Sequence, residues 1–158
     1  MAVEIERRFL VVSDGWKKEN PQGHLYRQGY LPNGASSVIA RVRICDDKGW
    51  LTIKGPRKNS RTRREYEYEI PLNDAAEIMD ELCRKPLIEK IRYRVNNDAA
   101  VWEIDVFLGE NQGLVIAEIE LHDENDVFSR PPWLGEEVTH DPRYLNVNLV
   151  NHSFCRWG

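Results

Sequence analysis

Hydrophobic and polar residues alternate along most of the first 122 residues, in short segments that end at turn sequences such as Asn33-Gly34 and Asn96-Asn97-Asp98. A period of two is typical of β-strands, because successive side chains point to opposite faces of a sheet. Asparagine, aspartate and glycine tolerate the backbone angles of tight turns, so these sequences mark breaks between strands. The pattern predicts eight strands, at about 2–12, 24–32, 36–46, 48–56, 62–71, 88–96, 99–108 and 114–122.

Two further segments have the period of an α-helix. Residues 74–84 place four apolar side chains on one face: Ala75, Ile78, Met79 and Leu82. Asn73 is the predicted N-cap of this helix. Residues 142–150 begin with Asp141-Pro142, an N-cap followed by proline at the first helical position. The predicted fold class is therefore mainly β (α+β), an antiparallel sheet with a few flanking helices.

Composition and charge narrow the class of protein. The chain has 158 residues, of which 41% are hydrophobic and 30% charged, as in one globular domain. No apolar run approaches the roughly 20 residues of a membrane span, and a net charge of −4 disfavours a nucleic-acid partner. The N-terminus is too charged for a secretory signal, and the three cysteines have no metal-site spacing. These features predict a cytoplasmic protein with neither a membrane nor a nucleic-acid partner.

The polar face of the strands carries an unusual number of full charges. Within single strands, like charges recur at alternate positions: Glu4 and Glu6, Arg41 and Arg43, Lys90 and Arg92, Glu118 and Glu120. An ordinary sheet with one face in water also alternates polar and apolar residues, and that interpretation stays open on the pattern alone. Like-charge pairs repel each other, however, unless a group of opposite charge lies between them.

The paired charges favour a specific chemistry. Two carboxylates on one face suit a divalent metal ion, which prefers several oxygen ligands. Two arginines on one face suit phosphate oxygens, which the planar guanidinium group binds in pairs. If the eight strands close into a barrel, both sets converge on one polar lumen. Such a lumen would bind a metal-bound polyphosphate.

Seven sequence elements, in order, resemble the CYTH superfamily, the triphosphate tunnel metalloenzymes. The resemblance begins with Glu4-Ile5-Glu6-Arg7-Arg8, which is similar to the family's ExExK signature, and extends to about residue 149. The other elements are Arg41-Val42-Arg43, Leu51 to Gly55, Arg64 to Ile70, Ile88 to Tyr93, Trp102 to Phe107, and Ala117 to Leu121, followed by Trp133 to Thr139 and Arg143-Tyr144.

The resemblance implies an eight-stranded antiparallel barrel that forms a tunnel, at about 2–122 of a single domain (1–158), with a C-terminal helical segment at about 123–158. It implies hydrolysis of inorganic triphosphate with Mg²⁺ or Mn²⁺. By position, the residues matching the metal ligands are Glu4, Glu6, Glu118 and Glu120, with Asp105 as an accessory. Those matching the substrate-binding cations are Arg8, Arg41, Arg43, Lys54, Lys90 and Arg92. Lys90 and Arg8 match the catalytic positions.

Position 8 departs from the signature, which has lysine there. Arginine binds phosphate but does not deprotonate in proteins. Arg8 therefore either binds phosphate only or replaces a lysine that helps to activate water. In the second case, Lys90 or a metal-bound water carries that step.

Alternative functions stay open at this point. Adenylate cyclase, thiamine triphosphatase or nucleoside triphosphatase activity would use the same phosphate-binding groups, and a non-catalytic polyphosphate-binding module would keep the cations. No aromatic sandwich for a base is evident among the lumen positions.

The basic run 57–64 is either a solvated loop or a funnel for polyanions. Because two helices are too few to cover a barrel, the outward apolar faces predict a homodimer.

Overall fold

The computed structural model describes residues 3–157, and antiparallel strands make up most of it. The strands are β1 (Val3–Val11), β2 (Gly23–Tyr30), β3 (Ile39–Cys45), β4 (Lys48–Arg57), β5 (Thr62–Ile70), β6 (Ile88–Asn97), β7 (Ala100–Phe107), β8 (Val115–Glu120) and β9 (Leu134–Glu137). The α-helices are α1 (Leu72–Glu81) and α2 (Asn146–Asn151). Short 3₁₀ helices lie at Gly15–Glu19, Gly109–Asn111, Pro142–Tyr144 and Phe154–Arg156. All eight predicted strands are confirmed. The first residue of the predicted strand 2–12 lies outside the described residues, and so do the two ends of the predicted domain 1–158.

The first eight strands close into a barrel in the order β1-β5-β4-β3-β2-β6-β7-β8. Strand β1 closes it, because its first residues pair with β5 (Glu4 opposite Arg63) and its later ones with β8 (Glu6 opposite Glu120). The predicted eight-stranded antiparallel barrel is thus confirmed. Strand β9 was not predicted. It is four residues long and pairs with the far end of β1, where Val11 lies opposite Leu134.

Helix α1 covers β3 and β4 on the outside of the barrel. Its Ala75 and Met79 are buried against Val42. The helix lies so close that a Cβ atom at Gly49 would be 2.6 Å from the Cβ of Ala75. The prediction of Asn73 as N-cap was wrong. Helix α1 begins at Leu72, so its N-cap is Pro71, which makes no side-chain hydrogen bond to the helix.

An aromatic cluster covers the outer face of β1, β7 and β8. Trp102 packs edge-on against Phe9, Phe128 and Trp133, with ring centroids 5.5 to 5.7 Å apart. Phe128 and Trp133 belong to the irregular segment between β8 and β9, and Trp16 of the first 3₁₀ helix joins the same cluster. Segments outside the two helices therefore cover part of the barrel, and the apolar surface left for a second copy is smaller than the two helices alone would leave.

The C-terminal segment packs on the barrel through α2. Leu149 is fully buried in a cluster with Tyr30, Ile88 and Phe107. The predicted continuous helix at 142–150 is instead interrupted, because Leu145 is extended (φ −70°, ψ 133°) between a 3₁₀ turn and α2. The predicted cap is confirmed for the 3₁₀ turn, since the Asp141 side chain accepts a hydrogen bond from the Arg143 amide. Among the described residues, no helix is long and apolar enough to cross a membrane.

Candidate active site

A cavity of about 440 Å³ lies inside the barrel, and charged side chains from most strands line it. The period of two of the strands places these side chains inside, while their sequence neighbours pack outward. The predicted site residues that line it are Glu4, Glu6, Arg8, Arg41, Arg43, Lys54, Lys90, Arg92, Glu118 and Glu120. Asp105 is completely buried behind this surface, in contact with Lys90 and Arg92.

Carboxylates from β1 and β8 face each other across the strand pair. Glu6 lies directly opposite Glu120, and both point into the cavity. Burial raises the pKa of Glu120, and the negative charges of Glu4, Glu103 and Glu6 raise it further. Burial and the charge of Glu6 likewise raise the pKa of Glu118. Burial and mutual repulsion thus both disfavour the ionised forms of Glu118 and Glu120, which nearby positive charge would stabilise.

Part of that charge comes from the protein itself. Lys54 Nζ lies 2.9 Å from a carboxylate oxygen of Glu4, and Arg8 Nη2 donates to Glu6 Oε1 at 2.8 Å. Within residues 3–157, no three acidic, histidine or cysteine side chains already converge as ligands around one point. The donor set is nevertheless all oxygen and short of counter-charge, which fits a hard divalent cation.

Asp105 organises two cations of β6. Arg92 donates to both of its carboxylate oxygens, at 2.7 and 2.8 Å, and Lys90 Nζ lies 2.7 Å from Oδ2. Burial alone would raise the pKa of Asp105, but the charges of Arg92 and Lys90 outweigh burial and lower it strongly. Both oxygens of Asp105, which the sequence suggested as an accessory metal ligand, are therefore engaged by cations.

Lys90 has no exposed surface. Burial lowers the pKa of its ammonium group, Asp105 opposes this, and the positive charges of Arg92 and Arg43 lower it further, to about 7. Its Nζ also donates to Asn146 Oδ1 at 3.2 Å, a contact with the first turn of α2. Lys90 is thus held from two sides and titrates near neutral pH.

Arg8 is buried between two carboxylates. Besides its contact with Glu6, its Nε lies 3.6 Å from Glu118 Oε1 and makes no hydrogen bond within the described residues. Burial lowers the pKa of Arg8, but the charges of Glu118, Glu6 and Glu4 outweigh burial and raise it. A cation at this position is therefore held in its charged form.

Arg41 and Arg43 form the opposite wall on β3. Arg41 Nη2 donates to Thr52 Oγ1 at 3.1 Å and lies 3.4 Å from Glu67. Arg43 donates to the neutral Gln28 and has no carboxylate partner within the described residues. Burial, together with the charges of Arg41 and Arg92, lowers the pKa of Arg43 to about 10. This guanidinium group is thus the least neutralised one on the wall.

Two arginines of the basic run also line the cavity, and the sequence did not single them out as site residues. Arg57 and Arg63 donate to the backbone carbonyls of Ser60 and Gly55, and neither has a carboxylate partner in residues 3–157. Arg63 follows the period of Glu65 and Glu67, which also line the cavity, so strict alternation could have found it. A bulge between Lys54 and Arg57 inserts one residue into β4 and turns Arg57 inward, which alternation does not predict.

Aromatic and thiol groups also reach the cavity. Tyr26 and Trp50 line it, and the guanidinium groups of Arg43 and Arg92 lie 4.8 and 5.0 Å from the Tyr26 ring centroid. Cys45 lines it too, but burial raises the pKa of its thiol, which disfavours a nucleophilic thiolate.

Comparisons with known proteins agree with this geometry. The CYTH domain matches residues 2–154. An inorganic triphosphatase of Acetivibrio thermocellus is 53% identical, covering 98% of this chain and 97% of the relative. An inorganic triphosphatase of Nitrosomonas europaea is 35% identical, covering 93% and 96%. A crystal structure of an inorganic triphosphatase has a TM-score of 0.67 at 34% identity and covers 95% of both chains. The chain therefore belongs to the CYTH domain family.

Proposed function

We propose that this protein hydrolyses inorganic triphosphate to diphosphate and phosphate inside the barrel. The observation that carries the proposal is the cavity itself, which joins a carboxylate cluster to arginines that lack carboxylate partners. The names of the two similar relatives support the same activity. In the reaction, the oxygen of water bonds to a terminal phosphorus, the bridging P–O bond breaks, and diphosphate leaves with the electron pair.

Four carboxylates would hold a divalent cation, Mg²⁺ or Mn²⁺: Glu4, Glu6, Glu118 and Glu120. Such an ion, when bound, supplies charge neutralisation to the phosphate oxygens and a water of lowered pKa. Asp105 serves a different purpose in this proposal. By holding Arg92 and Lys90, it fixes the direction of both cations without presenting a free oxygen to the cavity.

The cations divide into phosphate-binding groups and one group near the chemical step. Arg8, Arg41, Arg43, Lys54 and Arg92 neutralise the phosphate chain, which is the main requirement of phosphoryl transfer. Lys90, with its pKa lowered to about 7, exchanges a proton at Nζ near neutral pH and acts on the attacking water.

A substrate panel tests the proposal with a matched pair of variants. Purified protein with Mg²⁺ or Mn²⁺ should release phosphate from tripolyphosphate. Arg43→Gln should reduce kcat/KM at least tenfold, because a hydrogen bond to a charged group contributes about 1.5–3 kcal/mol. Arg27→Gln on the neighbouring strand removes an exposed arginine and should have no effect. Absence of phosphate release with either metal would refute the proposal.

Nucleoside triphosphate hydrolysis is the second candidate, because Trp50 and Tyr26 line the cavity. An aromatic side chain there could stack on a base or a thiazole ring. ATP and thiamine triphosphate in the same panel distinguish this candidate by a higher kcat/KM than tripolyphosphate. Formation of cyclic AMP would indicate adenylate cyclase, and binding without turnover would indicate a polyphosphate-binding module.

The free thiols of Cys45, Cys83 and Cys155 are consistent with a reducing compartment, and we propose a cytoplasmic location.

We also propose a homodimer, in which exposed apolar residues of the barrel surface, such as Leu25 and Tyr68, pack against a second copy.

A further inference from the structure

The first turn of α2 reaches the cavity, although α2 lies outside the barrel strands. Leu145, Asn146 and Val147 line the cavity next to the catalytic candidate Lys90. Burial of Leu149 among Tyr30, Ile88 and Phe107 fixes the helix against the barrel. The position of Asn146 is therefore set by packing and not by a flexible tail.

The Asn146 carboxamide has one end engaged and one end free. Lys90 Nζ donates to Oδ1 at 3.2 Å. An ammonium group has no acceptor, so only the oxygen of the amide can face it, and Nδ2 must point elsewhere. Within residues 3–157, Nδ2 donates to no protein acceptor, and the residue is partly exposed to the cavity.

A neutral amide suits this position for a physical reason. Its oxygen can orient the ammonium group of Lys90 while its N–H groups remain available to a phosphate oxygen. A carboxylate would also accept from Lys90, but it would raise the pKa of Lys90 and repel the substrate. An apolar residue would provide neither interaction.

We propose that Asn146 is a positioning residue for the reaction: Oδ1 holds Lys90, and Nδ2 donates to an oxygen of the phosphate group on which Lys90 acts. The inference rests on the proposed function. It places a residue of α2, which follows the last barrel strand, in direct contact with the substrate.

Two substitutions separate the halves of the amide. Asn146→Asp keeps an acceptor for Lys90 but replaces the donor with a charge, so KM for tripolyphosphate should rise about tenfold or more. The added carboxylate also raises the pKa of Lys90, so the rise of the rate with pH should move to higher pH. Asn146→Leu removes both interactions, so kcat should also fall about tenfold. Asn151→Asp and Asn151→Leu are the controls, because Asn151 lies on the same helix, is exposed, accepts a hydrogen bond from Arg84 and does not line the cavity.

A binding measurement keeps the inference separate from the proposed function. Thermal stabilisation by tripolyphosphate should be smaller in both Asn146 variants than in wild type and in the Asn151 variants. If wild type hydrolyses tripolyphosphate but the Asn146 variants match their Asn151 controls in KM, kcat and stabilisation, the inference is wrong and the function stands. If wild type shows no hydrolysis but Asn146 still affects tripolyphosphate binding, the function is wrong and the contact stands.

Discussion

At the residue scale, the site depends on how each charge is neutralised. Carboxylates around Arg8 outweigh burial and raise its pKa, whereas burial, together with the charges of Arg92 and Arg43, lowers the pKa of Lys90 despite Asp105. Two cations of the same cavity are thus given different roles by their neighbours. Arg8 is a permanent positive charge, and Lys90 can exchange a proton.

The first prediction concerns Lys90. We expect kcat/KM of the wild type to rise with pH through about 7, because the neutral amine is the form that accepts a proton from water and kcat/KM follows the titration of the free enzyme. Lys90→Ala should lower kcat more than it raises KM and should remove this rise. The measurement is a pH–rate profile at saturating metal. An unchanged profile shape in Lys90→Ala would show that Lys90 does not take part in the chemical step.

The second prediction concerns Arg8. Because Glu118, Glu6 and Glu4 would keep a lysine charged there, Arg8→Lys should bind phosphate as a point charge and retain the wild-type pH profile. We expect kcat/KM to fall by roughly tenfold, because lysine lacks the second hydrogen bond that a guanidinium group can donate to phosphate. A higher rate with a shifted pH optimum would instead show that a lysine at this position activates water.

The third prediction concerns Glu120 in the metal-free protein. Because its pKa is raised in the folded state, its protonated form stabilises the fold below the unfolded pKa of about 4.3, and this stability is lost as pH rises through the folded pKa. At pH 7, Glu120→Gln should therefore raise Tm, by roughly 2 °C given the partial exposure of the side chain. Calorimetry in excess chelator checks this, and a lower Tm would contradict it.

At the element scale, two irregular features shape the barrel. A bulge changes which side chains of β4 face the cavity, and a segment without regular structure covers part of the outer surface. The bulge in β4 turns Arg57 into the cavity. The segment between β8 and β9 has little regular structure, yet it supplies Phe128 and Trp133 to the aromatic cluster over Trp102. An irregular segment thus stabilises the barrel as a helix would.

The fourth prediction tests this cover. Trp133→Ala should lower the free energy of unfolding by about 3–5 kcal/mol, because a large buried side chain is lost from a packed cluster. Val127→Ala in the same segment should change it by less than about 0.5 kcal/mol, since Val127 is 95% exposed. Urea unfolding measures both. Equal values for the two variants would show that the segment does not support the barrel.

At the scale of the whole molecule, the barrel brings two opposite charge sets into one cavity. Metal and polyphosphate should therefore each improve binding of the other, because each neutralises the set that repels its partner. Because the positive and negative charges largely cancel in the total, the net charge of −4 does not indicate that they are separated inside the cavity.

The fifth prediction follows from that coupling. Mg²⁺ and a non-hydrolysable triphosphate analogue, which the enzyme cannot consume, should together raise the thermal stability more than the sum of their separate effects. At a hundred times Kd, a bound ligand contributes about 2.7 kcal/mol. Glu4→Gln should abolish the extra stabilisation and the activity while the fold survives. Purely additive effects in the wild type, or full turnover in excess chelator, would contradict the metal proposal.

The homodimer is checked separately. Light scattering at micromolar concentration should give about twice the chain mass of 18.5 kDa. A single-chain mass would refute the assembly, and it would leave the site unaffected because strands of one chain line the cavity.

The alternation of residues was enough to predict the eight strands and the inward set of charges, because the period of two is a local property of the backbone. The resemblance to a family then implied the closed barrel and the roles of individual residues, such as Glu4 as a metal ligand and Lys90 as a catalytic residue. The local pattern could not show that a bulge turns Arg57 inward. Nor could it show that both carboxylate oxygens of Asp105 are bound by Arg92 and Lys90. It also could not show that Asn146 meets Lys90 across 56 positions. Such contacts depend on strand register and on the packing of distant segments, and only the tertiary structure decides those.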